Sequence, residues 1–180
     1  MDRLIDYAVS QAKTDWMDIF IIGCARFLLS SNSGPCIVAK TFGVPVAAGN
    51  WIPVCQGTLG WQDIRMPKML VSKSQKTVLS FYQVFRSDLL RDINTKDDFT
   101  KNGIEWQDNT AEEIRELALE MMDQLDGIAE YESLDIKLQH RFQELVAAHE
   151  SPQTYGTISR IGRHFLRTHE ALLEDDRVSS

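Results

Sequence analysis

The chain has 180 residues, 43% hydrophobic and 25% charged, the proportions of one soluble globular domain. Nineteen basic against twenty-six acidic side chains leave a formal charge of −7, which disfavours general nucleic-acid binding, and no apolar run approaches the roughly 20 residues that span a bilayer. Met1-Asp2-Arg3-Leu4-Ile5-Asp6 has no basic region leading into an apolar one, so no secretory signal or transmembrane segment is expected and the simplest location is the cytoplasm. Cys24, Cys36 and Cys55 are odd in number, with no Cys-x-x-Cys pair and no neighbouring histidine. They are expected to be small buried apolar residues, and neither a disulfide framework, a metal site nor a cofactor is expected.

In chain order, a first helix is expected over residues 2–12, and a second from the capping Thr14 to Ile22, where Gly23 ends it. Residues 25–30 read as a strand, the polar Ser31-Asn32-Ser33-Gly34-Pro35 as a turn, and residues 36–42 as a helix closed by Gly43. A strand over residues 44–48 then completes a β-α-β unit, so a parallel sheet is expected. A Gly- and Pro-rich loop follows over residues 49–60, an extended run over 63–70, a helix over 80–90 and a strand over 104–108. Thr110 followed by Glu112 and Glu113 opens a strong helix to Leu125, and further helices fit 134–148 and 158–173. Residues 1–60 hold four basic and four acidic side chains, the texture of a buried parallel sheet, whereas residues 97–135 hold thirteen acidic and two basic ones and read as solvated helical segments.

The turn Ser31-Asn32-Ser33-Gly34 is the most informative stretch, because it joins the end of a parallel strand to a helix start. Free N–H groups there, beside small hydroxyl residues and a glycine, make a site for a phosphate, with Ser33 and Gly34 foremost. Helix capping by Asn32 or Ser33 is the default explanation from spacing alone. Neither a Walker A pattern nor Gly-x-Gly-x-x-Gly occurs. Asp108-Asn109-Thr110 is read as a helix cap, the four histidines (His140, His149, His164, His169) as surface or helix-end residues, and Arg160, Arg163 and Arg167 as a basic solvated face.

The ordered series DWMDIF (15–20), ARFLLSSNSGPCIVAKTFGVPVAAGNWIP (25–53), DIRMPKMLVS (63–72), LSFYQVF (79–85), GIEWQDNTAEEI (103–114) and YGTISRIGRHFLRTH (155–169) resembles the C-terminal part of a bacterial glycosyltransferase family associated with surface-polysaccharide synthesis. The Ser-Gly turn with the following helix and FGVPV is similar, more loosely, to the nucleotide-sugar-binding domains of GT-B glycosyltransferases and UDP-sugar 2-epimerases.

That resemblance implies an α/β fold with a Rossmann-like parallel sheet over residues 1–130, incomplete at its start, and a helical C-terminal extension over 131–180. It also implies a nucleotide-sugar donor whose diphosphate is held around Ser31, Asn32, Ser33 and Gly34, with Asn50, Trp51 and Lys68 facing the same cleft. Lys68 would neutralise charge on the leaving diphosphate where other transferases use a metal; a solvated lysine beside Pro67 is equally compatible. Trp51 would stack on base or sugar, against a default role as a core anchor. A GT-B enzyme resembles two facing domains, and only the donor half is matched here, so no catalytic acid or base is assigned. The partner is then a missing acceptor domain or a second copy of the chain. Two alternatives remain: a noncatalytic interaction or dimerisation module on the same fold, and an epimerase-like protein.

Overall fold

The computed structural model describes residues 4–54, 59–86, 96–148 and 158–174. Its centre is a four-stranded, wholly parallel sheet of β1 (Leu28–Ser30), β2 (Val46–Trp51), β3 (Ile64–Pro67) and β7 (Arg160–Ile161), in the order β1-β2-β3-β7. The expected β-α-β unit is present: β1 leads through the Ser31–Gly34 turn into α2 (Gly34–Thr41) and back to β2. Pro35 preorganises the first turn of α2, and Gly43 closes the helix end in the left-handed region at φ 72°. A second sheet, antiparallel in the order β5-β4-β6, is built from β4 (Met69–Ser72), β5 (Thr77–Val78) and β6 (Ile104–Gln107).

Side chains alternate across a strand, and β2 shows the consequence: Val46 and Ala48 join one buried cluster with Cys36, Ala39, Trp51 and Leu59, while Ala47 joins another. α1 (Asp15–Gly23) lies beside α2, with Thr14 accepting the Met17 N–H at 3.1 Å as the expected cap. The larger cluster is closed by α3 (Phe81–Arg86), α5 (Ala111–Leu125), α6 (Ser133–Ala147) and α7 (Arg163–Thr168). In it Phe142 meets Phe81 edge to face at 5.1 Å. Residues of the 131–180 stretch enter this sheet and core: β7 pairs with β3, and Leu138, Phe142, Phe165 and Leu166 pack with Ile64 and Met66.

Several expectations are corrected. Residues 63–70 form two strands in different sheets, Ile64–Pro67 beside β2 and Met69–Ser72 in the antiparallel sheet, with Lys68 between them and its N–H on Trp51 O at 3.0 Å. β2 runs on to Trp51, into the stretch expected as loop. Within the expected helix over 2–12, the described residues form only a 3-10 turn, Tyr7–Val9; Leu4, Ile5 and Val9 stay exposed, so no packing supports a longer helix, and residues 1–3 lie outside the described residues.

The helix expected over 158–173 is instead β7, α7 and a 3-10 turn, Glu170–Leu173. Pairing of Ile64 with Arg160 and Arg65 with Ile161 captures Arg160 and Ile161 as a strand. α3 and the further helix α4 (Lys96–Lys101) flank residues 87–95, so the expected 87–90 part of the earlier helix lies outside the described residues. Cys36 is buried as expected, but Cys24 is exposed at the end of α1, a helix with no buried residue; Cys55 lies outside the described residues.

The acidic segment is not simply solvated. Glu113, Glu120 and Asp135 are all buried, each carrying bonds that tie α5 or α6 to the C-terminal chain. No described helix is long and apolar enough to cross a membrane.

Candidate ligand-binding site

Strand order follows chain order among the four parallel strands, so no reversal of connection opens a crevice between them. What gathers polar groups at their C-terminal ends is α5, which runs antiparallel to the strands. Asn109, just before it, touches Asn50 and Pro67 at the ends of β2 and β3, while Gln124 in its last turn donates to Gln62 O before β3 begins.

The Ser31–Gly34 turn is tied down by its own side chains. Ser30 Oγ and Ser33 Oγ are 3.0 Å apart, Ser33 Oγ donates to Ser31 O at 3.2 Å, and Cys36 Sγ lies 3.2 Å from the same carbonyl. Ser33 thus occupies the cap position of α2 without its hydroxyl capping the helix. Pro35 has no N–H and the Cys36 N–H is bound to Ser33 O, while the Gly34 N–H has no hydrogen-bond partner among the described residues. A Cβ at Gly34 would meet nothing within 4 Å, so the backbone there is open to an approaching group. Asn32 Nδ2 donates to Ile52 O at 2.5 Å and fastens the turn to the chain leaving β2.

Asn50, at the end of β2, has φ 53°, a left-handed conformation that asparagine tolerates better than most residues. Its N–H donates to Asn109 Oδ1 at 2.6 Å, and its own Oδ1 accepts the Asn109 N–H at 2.7 Å. Asn109 Nδ2 donates to Pro67 O at 3.1 Å. Asn109 therefore clasps β2 and β3 together, while the helix cap falls to Thr110 and Glu113 in a reciprocal capping box. Trp51 is 3% exposed within the smaller core cluster, which matches the core-anchor role expected for it. Lys68 is not solvated: its Nζ is 2.5 Å from Asp108 and 5.1 Å from the Trp106 ring centroid, with 17% of the side chain exposed against 63% for Asp108. The structure thus links the turn to β2 and Asn50 to Asn109, and sets Lys68 beside Trp51; the Trp51 ring faces the core.

A carboxylate–imidazole pair, invisible in the sequence, lies one turn into α5. His169 Nε2 is 2.6 Å from Glu113 Oε1, while Glu113 Oε2 accepts from the Thr110 N–H and hydroxyl. Burial raises the Glu113 carboxyl, but the Thr110 and His169 hydrogen bonds and the imidazole charge outweigh it and hold the group below its ordinary value. Arg160, Arg163 and Arg167 are corrected from a solvated face to structural contacts. Arg160 lies 4.0 Å over the Tyr131 ring, Arg163 pairs with Asp123 at 3.0 Å, and Arg167 grips Asp135 through two bonds of 2.6 and 2.7 Å. The Arg167 bonds hold Asp135 below the usual carboxylate range. Glu120 accepts the Arg163 N–H at 2.7 Å and the Tyr131 hydroxyl at 3.1 Å; burial pushes its carboxyl up, and burial together with the Glu120 charge pushes Tyr131 up to about 12.

Among the described residues no group of three or more His, Cys, Asp or Glu side chains is placed to hold a metal ion. The arrangement defines the class: a mixed α/β protein with a parallel sheet whose C-terminal edge carries a tied Ser-Gly turn, an asparagine clasp and a paired lysine. No protein-family model, curated protein or solved structure matches the chain.

Proposed function

We propose that this protein binds the diphosphate of a nucleotide sugar at the C-terminal edge of its parallel sheet, as the Rossmann-like donor half of a glycosyltransferase-like protein in bacterial polysaccharide or glycoconjugate synthesis. The observation that carries this reading is the Ser31–Gly34 turn, which ends β1, opens α2 and leaves the Gly34 backbone uncovered. The N–H of Gly34 and the positive end of α2 favour an anion there. Lys68 supplies a cation near the same edge. It is occupied by Asp108, but an exposed carboxylate is released at little cost, so an incoming diphosphate exchanges with it. In glycosyl transfer these groups stabilise the charge that develops on the leaving diphosphate without a metal ion.

The test is a thermal-shift and calorimetric screen against UDP, GDP, ADP, CMP and their sugar conjugates, since a ligand bound only by the folded state raises the melting temperature. One nucleotide is expected to give a saturable shift, and Ser33→Asp, which sets a carboxylate in the turn, is expected to abolish it with an unchanged circular-dichroism spectrum. Binding unaffected by Ser33→Asp refutes the placement.

One observation favours a second reading, a noncatalytic interaction module. α1 is strongly apolar yet buries no residue: Trp16 is 82% exposed, and Ile19, Phe20 and Ile21 beside it are exposed too. Such a face marks an interaction surface. Under this reading the chain sediments as a dimer that Trp16→Ser with Phe20→Ser dissociates, and no nucleotide binds.

A further inference from the structure

We propose that the side-chain amide of Asn50 is a ligand-contacting hydrogen-bond donor for a phosphoryl oxygen, and that Asn109 is the residue that positions it; the proposal rests on the binding reading above. Every other N–H and side-chain polar atom of the pair is committed. The Asn50 N–H goes to Asn109 Oδ1, the Asn109 N–H goes to Asn50 Oδ1, and Asn109 Nδ2 goes to Pro67 O. Of the N–H and side-chain groups of the pair, only Asn50 Nδ2, with two N–H groups, has no hydrogen-bond partner among the described residues.

The orientation of that amide is decided by chemistry. The atom facing the Asn109 N–H must be the oxygen, since a flipped amide would set donor against donor. The nitrogen is therefore the atom left over. Asn109 is buried and anchored to β3, so the amide is preorganised and loses little rotamer freedom on binding.

Position supports the same role. Asn50 lies on β2, between β1 with its Ser31–Gly34 turn and β3 with Lys68 at its end. Asn32 is bonded to Ile52, two residues beyond Asn50, and the Lys68 N–H to Trp51, one residue beyond it.

The residue type discriminates between a structural clasp and a ligand contact. Aspartate would accept the Asn109 N–H equally well and also tolerates the left-handed region, so the clasp alone does not require an amide. The amide adds a neutral donor where aspartate would place a negative charge, and only an anionic or acceptor-rich ligand distinguishes the two.

Asn50→Asp is the test, with UDP, GDP, ADP, CMP and inorganic pyrophosphate as probes. Its melting temperature is expected to stay at the wild-type value, while affinity for the nucleotide that wild type binds falls by about tenfold or more. Asn50→Gly keeps the left-handed backbone without the amide and is expected to lose affinity too, which covers the case in which the aspartate variant folds poorly. In wild type, the Asn50 side-chain NH2 pair in a 1H–15N spectrum is expected to shift during titration with nucleotide. In Asn109→Ala that response is expected to disappear while the backbone spectrum stays dispersed. Nucleotide binding by wild type with equal affinity in Asn50→Asp, or with unmoved Asn50 NH2 resonances, overturns this inference and leaves the binding reading standing; no binding of any probe by wild type overturns both.

Discussion

Asp63 is the single carboxylate on which three parts of the sheet depend, and its replacement by alanine has a size that follows from its contacts. It is wholly buried and accepts the Val46 N–H at 2.8 Å, the Gly60 N–H at 2.5 Å and Lys40 Nζ at 2.6 Å. One side chain thereby joins the end of α2, the start of β2 and the loop before β3. Alanine strips the acceptor from two main-chain N–H groups, at about 1–3 kcal/mol for each one left buried and unsatisfied. The Lys40 side chain is 26% exposed and regains water, so the lost ion pair counts toward the low end of the buried range.

The three bonds share one acceptor group and do not add, which sets the expected loss at about 3–4 kcal/mol. For a chain of this length that is a fall in melting temperature of about 6–16 °C. Urea denaturation followed by circular dichroism measures it, with Lys40→Met as the companion. That variant leaves both N–H bonds to Asp63 in place, and water admitted at the partly exposed Lys40 position takes over the third, so it is expected to cost less than Asp63→Ala. A loss below about 1 kcal/mol for Asp63→Ala, or an equal loss in the two variants, refutes the assignment of the N–H groups as the main dependents of Asp63.

Gly162→Ala places a Cβ 3.1 Å from Leu117 Cδ1 and 3.3 Å from Met66 Cγ, and is expected to cost about 1–2 kcal/mol by equilibrium denaturation. Gly34→Ala meets no neighbour within 4 Å and is expected to leave stability unchanged while weakening nucleotide binding, read by calorimetry. The folded-state pKa of Glu113 is depressed, so its contribution is full above the ordinary 4.5 and is lost as pH falls through the folded value; Glu113→Gln is expected to flatten that acid limb in a stability–pH profile. Glu120 is shifted the other way, so the carboxylate costs stability as pH rises from 4.5 through its raised value. Glu120→Gln, which accepts the Arg163 N–H and donates to the Tyr131 hydroxyl, is expected to remove that loss in the same profile.

Local signals with short reach were legible. Thr110 with Glu113 forms the capping box that its spacing announces, and α5 ends at Leu125 where expected. Thr14 caps α1, and Gly43 ends α2 at positive φ. The candidate turn was legible for the same reason: small polar residues between an apolar run and a helix are a local pattern. β7 was not, because a two-residue strand has no periodicity and exists only through its pairing with β3. Nor was the role of Asn109, whose partners Asn50 and Pro67 lie 59 and 42 residues away. The sign of each charge was readable but its surroundings were not: Glu113, Glu120 and Asp135 stand in an acidic stretch and are nevertheless buried against His169, Arg163 and Arg167.

From sequence alone came a mixed α/β chain, its β-α-β start, the boundaries of its capped helices and the turn that leads the candidate site. Those features rest on contacts within four residues, or on an alternation that one segment expresses by itself. Tertiary structure decided that the run through Pro67 divides between two sheets, that the C-terminal segment supplies a strand to the parallel sheet, and that Asn109 crosses to hold Asn50 in a left-handed conformation. Each depends on hydrogen bonds between distant segments, whose partners are brought together only once the core around Ile64, Met66 and Leu117 has formed.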